Sequence, residues 1–126
     1  MAQKTKDVDL KESVDYKITQ PNAKHYLRVD AYYGCTHKTS FLNADGKVVT
    51  ISNENNDGYI GLGKDLKGMT MKVKTKAFAD IDELGVERVR LEYFIDAQAS
   101  ETLVNKYDHP EEDDDAPLLK FSVVFK

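Results

Sequence analysis

Three groups of residues in this 126-residue chain have types and spacings that could do chemistry. The first is the stretch YDHPEEDDDAP, 107–117. It carries Asp108, Glu111, Glu112, Asp113, Asp114 and Asp115 and has no Lys or Arg. Carboxylates clustered on a loop between strands can converge on a hard cation. Calcium takes roughly six to eight oxygens and tolerates irregular geometry. A second acidic turn, NENNDG at 53–58, has Asn or Asp at its first, third and fifth positions, followed by Gly. That matches the opening half of an EF-hand loop. The match then fails, because the twelfth position is Lys64 where a bidentate Glu belongs. Asn, Asp and Gly are also what any tight turn requires. Calcium is therefore expected only if Asp57, Asp108 and the acids at 111–115 meet at one end of the fold.

The second group is basic. Lys72, Lys74 and Lys76 alternate along 69–78, and Arg88 and Arg90 share a face of 86–95. A hairpin across 79–85, centred on Asp82, would set Lys74 opposite Arg90, Lys76 opposite Arg88 and Lys72 opposite Glu92. Like charges directly opposed cost some tenths of a kcal/mol per pair, so such a face welcomes anions. Glu87 and Glu92, the chain's own acidic loop, or a partner could supply them. A further expectation is that 108–115 docks on this face, within one chain or between two copies. The simpler reading is a solvated face that keeps the protein soluble.

The third group is Gly34-Cys35-Thr36-His37. It sets a thiol and an imidazole on one side of an extended chain. With His25 or His109 these could form a soft-metal site or a Cys–His nucleophile. Cys35 is the one cysteine, so no intrachain disulfide forms. The chain has no Cys-x-x-Cys, His-Glu-x-x-His or G-x-S-x-G. In GYIGLGK, 58–64, the glycines alternate with apolar residues and do not open a helix, as phosphate-cradling loops do. Seven tyrosines without a tryptophan suit recognition surfaces better than sugar stacking.

Short strands must position these groups. HYLRVDAYY within 24–33 alternates, with His25, Leu27, Val29, Ala31 and Tyr33 on one face. MTMKVKTKAF, 69–78, alternates as cleanly. Asp45-Gly46 between extended residues signals a hairpin joining 39–42 to 47–52. Further strands are expected at 14–19, 59–63, 86–95 and 118–125, and a short helix at 99–107 with Ser100 as its N-cap. Seven to eight mainly antiparallel strands at this spacing predict an all-β fold: a single β-sandwich, immunoglobulin-like or jelly-roll-like. Residues 1–13 read as a flexible N-terminal segment and 14–126 as the domain. The resemblance to immunoglobulin-like and calcium-binding sandwiches is one of architecture, which does not transfer function.

Eighteen basic residues stand against twenty-two acidic ones, for a net charge of −4. Leaving out the six acids of 108–115 leaves sixteen, and a body of +2. A domain devoted to nucleic acid is far more basic. No segment approaches the roughly 20 apolar residues of a membrane span. The first twenty residues hold no apolar run fit for a signal peptide. The expected location is thus cytoplasmic, or extracellular with a signal already removed. The function expected is a non-catalytic binding or assembly module, acting through loops or a basic sheet face on a protein partner or on itself. The rival is a calcium-dependent module for a membrane or carbohydrate, and the second rival a small enzyme built on Cys35 and His37. Calcium is the one cofactor the sequence suggests.

Overall fold

A computed structural model describes residues 10–81, 87–110 and 117–126. Alternation of buried and exposed residues dominates it. Strand β6 (Thr70–Phe78) buries Met71, Val73, Thr75 and Ala77 and exposes every residue between them. Such a strand can exist only with one face on a core and one in water. The other strands are β1 (Ser13–Tyr16), β2 (Lys24–Tyr32), β3 (Thr36–Leu42), β4 (Val48–Ser52), β5 (Asp57–Leu62), β7 (Asp80–Ile81), β8 (Glu87–Ala97), β9 (Ser100–Pro110) and β10 (Leu118–Phe125). One helical turn, α1 (Gly63–Leu66), follows β5.

The strands form two sheets. Sheet A runs β1-β10-β6-β3-β4, and sheet B runs β5-β2-β8, with β9 along β8 and the short β7 at the start of β8. All pairings are antiparallel except β1 with β10. The fold is thus an all-β sandwich. Among the described residues no helix is long and apolar enough to cross a membrane.

The core lies between the sheets. Leu27 and Val29 of β2 and Val89, Leu91, Tyr93 and Ile95 of β8 face Met71 and Val73 of β6 and Phe121, Val123 and Phe125 of β10. Full burial of side chains of this size contributes about 1.5–3 kcal/mol each. The Tyr93 and Phe121 rings meet edge to face at 4.8 Å.

Three expectations are corrected. The strands number ten among the described residues, not seven to eight. Residues 99–107 are not a helix: they belong to β9, which pairs with β8 from Ala97↔Ser100 to Arg88↔Pro110. Ser100 does not cap a helix; its hydroxyl donates to the Ala97 carbonyl across the tight turn (2.9 Å). A bulge hid this strand. Phe94 faces Leu103 while Tyr93 faces Asn105, so Val104 is an extra residue and the period-2 pattern slips there.

The expected hairpin between 69–78 and 86–95 does not form either. β6 pairs with β10 and β3 in sheet A, whereas β8 pairs with β2 and β9 in sheet B. Their apolar faces meet across the sandwich instead of lying side by side, which matches the faces equally well. The Asp45-Gly46 hairpin does form, with Gly46 at φ 78° and the Asn43 side chain accepting from the amides of Asp45 and Lys47. Gly63 allows close approach of backbones, since a Cβ there would collide with the Gln20 carbonyl.

Candidate functional site

The outer face of sheet A is built by alternation. Burying Met71, Val73, Thr75 and Ala77 forces Lys72, Lys74 and Lys76 into water. The neighbouring strands add two more. β3 buries His37 and Thr39 and exposes Lys38, which lies opposite Lys76. β10 buries Leu119 and Phe121 and exposes Lys120, which lies opposite Lys74. Two like-charged pairs thus face each other directly, on a grid with about 4.8 Å between strands and about 6.8 Å between alternate residues. Among the described residues no carboxylate comes within ion-pair distance of any of the five lysines. A shallow depression of about 290 Å³ opens among Glu12, Lys72, Lys74, Lys120 and Ser122. Apolar side chains flank the grid. Leu118, 60% exposed, lies opposite Lys76, and Phe78, 48% exposed, sits 5.5 Å from the Lys76 Nζ.

Arg88 and Arg90 are elsewhere. They lie on sheet B, where every arginine is matched by a carboxylate. Arg88 Nε donates to Asp108 at 2.6 Å, and Arg90 pairs with Glu92 at 3.3 Å. Arg28 gathers Asp30, Asp96 and Glu101 at 3.2, 2.9 and 3.2 Å. The guanidinium groups also stack on rings, Arg28 on Phe94 at 4.3 Å and Arg90 on Tyr32 at 4.6 Å. These contacts leave the arginines charged and already partnered. The five residues singled out as one basic face, Lys72, Lys74, Lys76, Arg88 and Arg90, therefore divide between two sheets. Sequence reasoning missed Lys38 and Lys120. Each stood at an outward position of a correctly placed strand, but the order of strands in the sheet was needed to join them to β6.

Of the acids proposed for calcium, the two among the described residues, Asp57 and Asp108, do not come together. Asp57 is on β5 and Asp108 on β9, with β2 and β8 between them. Three inter-strand steps separate them by at least about 14 Å, and Asp108 is engaged by Arg88. The acids Glu111, Glu112, Asp113, Asp114 and Asp115 lie outside the described residues. Among the described residues no group of three or more His, Cys, Asp or Glu side chains is close enough to hold a metal. The NENNDG turn uses its amides for structure. Asn53 accepts from the His37 amide (2.8 Å) and donates to the Cys35 carbonyl (2.9 Å), while Asn56 donates to Asp30 (3.3 Å).

Cys35 and His37 both point into the sandwich. The Cys35 thiol donates to the Arg90 carbonyl at 3.7 Å, and burial pushes its pKa up, the opposite of what a nucleophile needs. His37 ends a buried chain of hydrogen bonds. The Tyr93 hydroxyl donates to Thr75 Oγ1 (2.7 Å), the Thr75 and Thr39 hydroxyls share a bond of 2.8 Å, and Thr39 Oγ1 meets His37 Nδ1 at 3.0 Å. The His37 Nε2 has no partner among the described residues. Burial holds this imidazole below its ordinary pKa.

Above the unfolded value of about 6.5, His37 is neutral in both states and contributes nothing. As the pH falls below that, the unfolded chain takes up a proton that the folded chain refuses, so stability falls until the folded pKa is reached. Urea titrations at neutral and mildly acid pH should show this loss, and His37→Gln should remove its share of it.

With the geometry described, the chain can be set against known proteins. It matches no family model, no curated protein and no solved structure. The site must therefore be argued from its own chemistry. What the lysine grid can do is hold a row of anionic groups. What the buried Cys35–His37 region can do is stabilise the interior.

Proposed function

We propose that this protein is a non-catalytic docking module whose sheet A face binds an acidic, extended segment of polypeptide. One observation carries the reading: Lys38, Lys72, Lys74, Lys76 and Lys120 form a cross-strand grid with no carboxylate partner among the described residues. On sheet B, by contrast, all three arginines are compensated within the sheet. Directly opposed like charges are destabilising unless something anionic covers them. The chain keeps two such pairs on one face.

The chemistry of the partner follows from spacing and overall charge. An extended peptide presents alternate side chains about 6.8 Å apart, the same step that separates Lys72, Lys74 and Lys76 along β6. A run of acids in that form meets the lysines one for one. Nucleic acid and anionic bilayers are long polyanions, and this chain as a whole carries −4. That charge repels a polyanion that runs on past the lysine face, whereas a short acidic segment meets the lysines alone.

An oligoglutamate peptide titrated at low ionic strength should bind saturably and weaken as salt shortens the screening length. Lys74→Gln with Lys120→Gln should weaken it roughly fivefold or more, at up to about 1 kcal/mol per exposed charge pair. Arg88→Gln with Arg90→Gln should leave it unchanged. No saturable binding, or an equal loss with the arginine variants, would overturn the proposal. So would a single-stranded oligonucleotide or an anionic vesicle that binds more tightly than the peptide.

A further inference from the structure

Resting on that reading, we propose that one phosphorylated side chain of the acidic segment, a phosphoserine or phosphothreonine, seats in the depression of sheet A among Lys72, Lys74, Lys120 and Ser122. These four residues are the corners of one rectangle of the sheet. Lys74 lies opposite Lys120, and Lys72 lies opposite Ser122. The Ala77 amide donates to the Pro117 carbonyl, so the hydrogen-bonded pairs between β6 and β10 fall at the odd-numbered residues. Lys74–Lys120 and Lys72–Ser122 are therefore pairs of the other kind, whose Cα atoms stand only about 4.5 Å apart and whose side chains come closer. With about 6.8 Å along each strand, every corner lies about 4 Å from the centre of the rectangle. An extended lysine side chain spans that distance. At the centre Val73 faces Phe121, and both side chains turn into the core. Bare backbone is left as the floor of the depression of about 290 Å³.

Charge and donors fit a phosphate monoester better than a carboxylate. The depression offers three ammonium groups and the Ser122 hydroxyl. Glu12 lines it too, placed there by β1, because the Glu12 carbonyl accepts from the Ser122 amide at 2.9 Å. Among the described residues the Glu12 carboxylate forms no ion pair with these lysines. Three positive charges and one negative leave 3 − 1 = +2. At neutral pH a phosphoserine carries close to two negative charges and three strong acceptor oxygens. A glutamate brings one charge and two oxygens, so it leaves half of that positive charge unmatched. Ammonium-to-phosphate hydrogen bonds are roughly twice as strong as neutral ones.

Lys38 and Lys76 stand outside this rectangle, opposite each other across β3 and β6. They serve the carboxylates that flank the phosphorylated residue. An extended segment laid along β6 carries its next side chain on the same face about 6.8 Å further on, the step from Lys74 to Lys76. The segment that fits best thus has an acid two residues from its phosphorylated residue.

Fluorescence anisotropy of labelled peptides on the full chain at low ionic strength tests this. One peptide is an oligoglutamate with a single central phosphoserine, and its counterpart has glutamate there. Near pH 7.5 the phosphoserine peptide should bind roughly tenfold more tightly or better. The advantage should shrink toward about pH 5, where a phosphoryl group with a second pKa of about 6 is a monoanion and glutamate is still ionised. Lys72→Gln with Ser122→Ala should cut the advantage to about twofold. Lys38→Gln with Lys76→Gln should weaken both peptides by one factor and leave the advantage intact. Equal binding of the two peptides, or an advantage that survives Lys72→Gln with Ser122→Ala, would overturn the inference and leave the docking module standing. If neither peptide binds, both fail. Inorganic phosphate that displaces the phosphoserine peptide as well as an unlabelled copy does would uphold the phosphoryl site and overturn the docking of a segment.

Discussion

Replacing Thr39 with valine should cost the protein about 2–4 kcal/mol of stability, although the two side chains have nearly the same shape. Thr39 is the middle of the buried chain that runs from Tyr93 through Thr75 to His37. Without its hydroxyl, the Thr75 hydroxyl loses its neighbour and His37 Nδ1 loses its one hydrogen bond. The Nε2 of that ring has no partner among the described residues, so an imidazole with neither nitrogen satisfied by them would remain in the core. Each buried polar group left unmade costs about 1–3 kcal/mol. Tyr93→Phe is the control. It removes a terminal donor but leaves the Thr75, Thr39 and His37 contacts in place, so its cost should be near 1 kcal/mol. Chemical denaturation of the two variants should separate them clearly. Equal costs would mean that the chain does not act as one network.

Lys74→Glu should move stability and binding in opposite directions. Lys74 faces Lys120 directly and lies between Lys72 and Lys76 on its own strand. The substitution turns one repulsive cross-strand pair into an attractive one. Such pairs contribute roughly 0.2–1 kcal/mol each, so the melting temperature at low salt should rise by about 2–5 °C. The gain should disappear in concentrated salt. The same change removes two units of charge from the centre of the grid, and the affinity for oligoglutamate should fall about tenfold. A gain in stability together with a loss of binding is the sign of a face kept repulsive for a ligand. Loss of both would indicate instead that Lys74 is an ordinary structural residue.

How far these features could be read from the sequence depended on whether they were local. The alternation of Met71, Val73, Thr75 and Ala77 with three lysines is local, and it placed the strand and its exposed face correctly. The partners of that strand are not local. Matching apolar faces is achieved as well by packing β6 over β8 as by pairing it beside β8, and nothing in the two segments distinguishes these. The arginines therefore fell on the wrong sheet, and Lys38 and Lys120 were overlooked. Strand β9 was hidden by its bulge, because one extra residue at Val104 shifts the alternation midway. The common orientation of Cys35 and His37 was evident from their spacing. That they point into the core was not, because small polar residues can face either way in a strand.

The most direct measurement is an amide chemical-shift map of the protein titrated with oligoglutamate at low ionic strength. The account predicts perturbations along β3, β6 and β10, strongest around Lys38, Lys74, Lys76 and Lys120, with sheet B silent. Perturbations centred on Arg28, Arg88 and Arg90, or spread evenly over both sheets, would contradict it.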